Sequence, residues 1–180
     1  FGRVYRVGIR PNPINSLASQ IFVVSRDKRS KLKMSSDTLK KNLRTYLNEF
    51  RAVSDAFDIL DARIINVGVS VDVVAHPEAN KSQVAQKVIS NLSFLLALKN
   101  MQIDQPLATA DVMNSIINTD GVISLIDFKI NSITGNIEER TYSDVSFNVE
   151  ANTMQNMVVG PPGSIFELRY PSQDIVVTVR

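Results

Sequence analysis

Asp55, Asp58 and Asp61 stand three residues apart in the stretch RAVSDAFDILDAR. On a helix that spacing would bring three carboxylates to one face, a set able to recruit Mg²⁺ through carboxylate and water oxygens. The simpler reading is a solvated acidic face near a turn, and the spacing matches no calcium loop. His76 is the only histidine and there is no cysteine. A Ser-His-acid triad would therefore have to run through His76, and no G-x-S-x-G elbow accompanies it. His76-Pro77 reads more simply as the end of a strand. A zinc centre is left with one imidazole and no thiolate. Gly160-Pro161-Pro162-Gly163 has the glycines of a turn but not the lysine of a phosphate loop. No catalytic residue, cofactor site or metal site is assigned, and the expectation is a protein that is not an enzyme.

The remaining constellation is basic. Arg26, Lys28, Arg29, Lys31, Lys33, Lys40, Lys41 and Arg44 fall within nineteen residues. Residues 1–44 hold eleven Lys and Arg against Asp27 and Asp37, a net charge of +9, while residues 45–180 carry −7. The overall +2 conceals this division. Three uses remain open: a solvated charged face, a contact with a protein partner, or phosphate binding. No aromatic residues interleave with the bases and no nucleic-acid motif is present. The candidate interface residues are Lys28, Arg29, Lys31, Lys33, Lys40, Lys41 and Arg44.

Several elements must position these groups. Residues 1–10 read as a strand with Val4, Val7 and Ile9 as apolar positions, stopped by Pro11-Asn12-Pro13. Residues 18–26 read as a second strand. Residues 36–50 read as a helix, with Leu39, Leu43, Tyr46, Leu47 and Phe50 on one stripe and Ser35 or Ser36 as its cap. Burial of each Leu or Phe on that stripe would contribute roughly 1.5–3 kcal/mol. Residues 63–75 alternate Ile65, Val67, Val69, Val71 and Val73 with smaller or polar residues, the period of a half-buried strand. Gly68 inside it marks a bulge or a close backbone approach.

Asn80-Lys81-Ser82-Gln83 resembles a capping box. A helix follows to about Leu98, with Val84, Val88, Leu92, Leu95 and Leu96 inward. Thr109 is expected to cap a shorter helix carrying Val112, Ile116 and Ile117. Asp120-Gly121 is a turn into a strand over 122–133, with Ile126, Phe128 and Ile130 on one side. Beyond residue 141, alternation at Val145, Phe147 and Val149, at Ile165–Leu168 and at Ile175–Val179 suggests further strands.

The fold class that follows is α+β: a mixed β-sheet packed by amphipathic helices, with a small C-terminal β appendage. The expected division is 1–135 for the α+β domain and 136–180 for a β-rich extension. Forty-four per cent hydrophobic and 21% charged residues suit a packed core and exclude a disordered chain. The chain begins with Phe1, as expected of a piece of a longer protein, and zero cysteine fits a reducing compartment.

Residues 63–133 run strand, helix, loop, helix, Gly-Val, strand. Ile116-Ile117-Asn118-Thr119-Asp120-Gly121-Val122 forms the last junction, and Arg51-Ala52-Val53-Ser54-Asp55 follows the helix upstream. In this order and spacing, residues 18–134 resemble the baseplate J-like family of contractile phage tails, and most of all the C-terminal part of the family's large wedge subunits in myoviruses. The chain departs from many relatives at Ile103-Asp104, where they place a glycine before the second helix. The resemblance implies a structural virion protein of the tail baseplate wedge, assembled in the host cytoplasm. It would self-associate into a ring around the hub and join other wedge proteins and the start of the sheath. It would rearrange on contraction, with no cofactor, small-molecule substrate, nucleic acid or membrane as partner. The alternative reading is a nucleic-acid-binding α+β module that uses the basic 26–44 segment.

Overall fold

A computed structural model describes residues 3–50 and 56–180 of the chain. Asp55 and the rest of the Arg51–Asp55 segment lie outside the described residues. The chain is α+β and divides into two compact units. The first comprises residues 1–64, 102–104 and 161–165; the second comprises 65–101, 105–160 and 166–180.

In the first unit, β1 (Val4–Pro11) pairs antiparallel with β2 (Ala18–Arg26), from Val4 opposite Ser25 to Pro11 opposite Ser19. A register shift between Val4 and Arg6 bulges β1 at Tyr5. β3 (Leu32–Lys33) adds to the end of β2, and helix α1 (Asp37–Phe50) leads to β4 (Ala56–Asp61). β4 lies parallel to β2, Ala18 opposite Ala56 and Val23 opposite Asp61. Parallel neighbours need a crossover, and α1 supplies it. Leu43 and Leu47 of α1 pack with Val4 and Phe57 on a core of Ile21, Val23 and Ile59.

The expected burial of the α1 stripe is only partly realised. Leu39, Leu43 and Leu47 are half-buried and no residue of the helix is fully buried. Tyr46 is 59% and Phe50 71% exposed, their ring centres 5.0 Å apart and the rings tilted at 53°. Phe50 therefore does not gain the full transfer free energy of a buried side chain.

Asp104 adopts φ +64°, the left-handed conformation that a glycine would supply at little cost. Its Oδ1 accepts from Gly163 N–H at 2.7 Å, and its own N–H donates to Ser164 carbonyl at 2.8 Å. Gly163 is required twice over: φ is +75°, and a Cβ there would enter the Phe22 ring.

The second unit is built on β5 (Arg63–Ala75), whose first two residues belong to the first unit. After β5 come α2 (Lys81–Leu95), β6 (Leu107–Ala108), α3 (Thr109–Ile117) and β7 (Val122–Ile133). Short elements follow: β8 (Asn136–Ile137), β9 (Arg140–Thr141), β10 (Thr153–Met154) and β11 (Met157–Val158). The chain closes with β12 (Ser164–Glu167), one helical turn (Pro171–Asp174) and β13 (Ile175–Val179). β7 is antiparallel to β5 and β13 parallel to it; β12 is the further neighbour of β5. Val67, Val69, Val71 and Val73 are buried, as are Val84, Val88 and Leu92 of α2 and Val112 and Ile116 of α3. Gly68 is a close approach: a Cβ there would come within 2.8 Å of Ile133 Cδ1 and 3.0 Å of the Asp174 carbonyl.

Four local expectations change. β12 and β13 belong to the sheet of β5, so residues 136–180 do not stand apart as an extension; strand pairing across the whole chain sets the division instead. Residues 143–149 form no strand. Phe147 instead meets Phe166 edge-on at 5.9 Å and Val149 is buried. Helix α2 stops at Leu95, where Asn100 Nδ2 donates to the carbonyls of Phe94 and Leu95. Thr109 is not a cap. Ala108 holds that position, and Thr109 Oγ1 donates to the Asn156 carbonyl at 2.8 Å.

Candidate functional site

The basic surface belongs to the first unit and is built by two local devices. After β2, Asp27 Oδ1 accepts from the N–H groups of Arg29 and Lys31, each at 2.8 Å, and Asp27 N–H donates to the Lys31 carbonyl. This is an Asx-type turn, closed by Ser30 at φ +64°. It holds Lys28 and Arg29 outward; Lys31 is half-buried, and Lys33 on β3 is exposed. The second device is the cap of α1. Ser36 Oγ accepts from Leu39 N–H at 3.3 Å, which selects Ser36 between the two expected caps.

Lys40 is spent inside the unit. Its Nζ lies 2.6 Å from Asp61 Oδ2 and 3.0 Å from Asp37 Oδ1. The hydrogen bond to Asp61, then that to Asp37, raises the Lys40 pKa, and Lys40 lowers that of Asp37. Asp61 also accepts from Ser35 N–H, so one carboxylate joins β4, α1 and the segment before it. Lys41 and Arg44 are exposed and carry no ion pair among the described residues. At ~100° per residue they stand more than ~100° around the helix from Tyr46 and Phe50. The exposed bases and the exposed aromatics thus occupy different flanks. Arg26 is different again: its guanidinium lies 4.6 Å from the Tyr5 ring centre, and that of Arg6 lies 4.5 Å away.

Asp58 and Asp61 do not share a face. They lie on a strand, where residues three apart point to opposite sides. Asp58 Oδ2 accepts from Asn12 Nδ2 at 2.8 Å, whereas Asp61 serves Lys40. His76 follows β5 at its end, as read, and its N–H donates to the Gly121 carbonyl at 3.0 Å. It lines an open groove of about 540 Å³ with Glu78, Lys87 and Asp120.

The polar groups that sequence reasoning missed are buried in the second unit. Asn66 donates from Nδ2 to Glu167 Oε2 at 2.8 Å and accepts Ser143 N–H at 2.6 Å. Arg169 closes on the same Glu167 oxygen at 2.9 Å. Tyr142 donates to Asp174 Oδ1 at 2.6 Å, and Tyr170 N–H donates to Asp174 Oδ2 at 2.7 Å. Burial, followed by the bond to Asp174, pushes the Tyr142 phenol up to about 12. These carboxylates hold segments together across a hundred residues of chain. The only sequence signal was Asn66 at a core-flanking position of an apolar strand.

Unlike charge separates the two units. The first holds thirteen Lys and Arg against seven Asp and Glu, a net of +6; the second holds seven against eleven, a net of −4. No known family model and no curated protein matches the chain.

Proposed function

We propose that the chain is a structural subunit of a contractile phage tail, a baseplate wedge protein that associates with copies of itself and with neighbouring wedge proteins. The observation that carries this reading is the opposite charge of the two units, with Lys28, Arg29, Lys33, Lys41 and Arg44 exposed on the basic one. Unlike surfaces on one chain favour head-to-tail contacts, which close into rings when the rotation permits. Such charges orient encounter and select partners more than they add affinity. The buried polar side chains described above are consumed by bonds within each unit, an economy suited to a scaffold. The order of elements over residues 18–134 that resembles the baseplate J-like family supplies the kind of assembly. In that reading the virion tail is where the protein resides, and the ring rearranges when the sheath contracts.

The test is a charge reversal on the full-length chain. Lys41→Glu with Arg44→Glu leaves the fold intact and excludes the chain from the baseplate in electron micrographs of tails. A labelled wild-type chain found nowhere on the tail ends the reading. Normal incorporation of the double variant removes the basic surface from it. The nucleic-acid alternative predicts oligonucleotide binding that falls steeply with salt. It is disfavoured by the separation of Lys41 and Arg44 from the exposed aromatics, which places no stacking platform beside these bases.

A further inference from the structure

β7 is the longest strand after β5, and among the described residues it pairs with β5 alone. Its other edge pairs with no strand among the described residues, an arrangement by which one chain can extend the sheet of another. Edge strands are commonly guarded by charges that repel a copy of themselves. Here Asp127 and Lys129 sit two residues apart on the same face, both exposed and of opposite sign. A strand with that pattern is complementary to its own reverse.

We propose that β7 is a self-association edge, pairing antiparallel with β7 of a second copy about a two-fold axis through Phe128. In that register Asp127 faces Lys129 of the second copy, and the reciprocal pair forms by symmetry. Two features of the strand favour this register. First, Asp127 lies directly opposite Asp72 within the sheet, a like-charge pair. Asp72 has its own cation, Arg180 at 2.7 Å; Asp127 has no ion pair among the described residues. Lys129 of a second copy supplies the missing cation on the open side.

Second, the pairing of β7 with β5 skips a residue: Asp72 faces Asp127 and Val73 faces Leu125. Ile126 is thereby left out of the ladder and stands 50% exposed. The register places it opposite Ile130 of the second copy. Ile130, itself buried, belongs to the lining of a groove of about 310 Å³ whose apolar walls include Met113, Phe128, Val149 and Val158. Each copy thus presents one apolar knob and one apolar socket, as a two-fold contact requires.

The inference deepens the self-association in the tail reading by naming its surface, and the two fail separately: a dimer found in a protein that joins no tail keeps the one and ends the other. The experiment is sedimentation of the full chain from about 1 to 100 µM at low salt, the range in which a short strand contact is read. The wild type is expected to dimerise. D127K and K129D each set like charges against each other at two symmetric places and weaken the dimer by about tenfold or more. The D127K/K129D double variant restores the complementarity and with it the dimer. All three are expected to keep the wild-type circular dichroism, because both side chains are exposed. A wild type that stays monomeric overturns the proposal, and so does a dimer indifferent to both single reversals. A double variant no better than the singles overturns the register.

Discussion

Helices α1 and α2 have nearly the same length, and each carries an apolar stripe, yet they end in different circumstances. In α2, Val84, Val88 and Leu92 are fully buried, with α3 alongside and the β5 sheet beneath. In α1 no residue is fully buried, and the rings of Tyr46 and Phe50 meet at a tilt in the open. The stripe of α1 is the more sharply drawn of the two, so amphipathicity does not measure burial. It states which face is apolar; the number of neighbouring layers decides how much of that face is covered. Among the described residues, the second unit sets the two longer helices α2 and α3 over a long sheet, whereas the first sets α1 over shorter strands.

The most forceful way to break this comparison is to truncate the same residue type on each helix. Leu92→Ala in α2 is expected to cost about 2–5 kcal/mol, and Leu43→Ala in α1 about half as much or less. Urea denaturation of both variants reads the difference, and equal losses would mean that the α1 face is covered as well as that of α2.

A middle-sized effect separates the units by pH. The Tyr142 phenol ionises near 10.0 when unfolded and at about 12 when folded. Its raised pKa means that the folded protein holds the proton more tightly. The associated stability is therefore complete below pH 10 and is lost as pH rises through 12. Tyr142→Phe removes the bond to Asp174, costs about 1–3 kcal/mol at neutral pH, and flattens this alkaline loss. Thermal melts between neutral pH and pH 12 make the measurement; an unchanged alkaline slope in the variant would assign the loss to other groups.

The smallest effect belongs to the first unit. Lys40 also has a raised pKa, so its contribution is present below its ordinary value and fades above it. Its bonds to Asp61 and Asp37 lie near the surface, and Lys40→Met is expected to cost no more than about 1 kcal/mol. Added salt should narrow the gap between wild type and variant; a gap that salt leaves unchanged would mean that the pair is shielded from solvent.

Much of this organisation was legible in the residue pattern. The spans 63–75 and 122–133 emerge as β5 and β7, because period-two alternation follows directly from backbone geometry, and 18–26 emerges as β2 from its β-branched and aromatic residues. Asn80 caps α2 by accepting from the N–H groups of Ser82 and Gln83, as its spacing predicted. β4 escaped notice because its three-residue carboxylate spacing suggested a helix face. Thr109 looked like a cap, but a carbonyl forty-seven residues away competed for it. The basic segment was visible as composition, and five of its seven candidate residues are exposed. Lys40 could not be told from Lys41 in the sequence, because its partner Asp61 arrives from β4.

By itself, the sequence determined the α+β class, the positions of the long elements and the uneven distribution of charge. These are local properties, set by side-chain period, capping chemistry and count. Only the tertiary structure decided that Asn66, Glu167 and Arg169 meet, that β13 lies beside β5, and that the division runs +6 against −4 between compact units. It also left α1 half-covered and one edge of β7 unpaired by any strand among the described residues. Those outcomes depend on contacts between residues far apart in the chain, and no local pattern encodes which distant partner arrives.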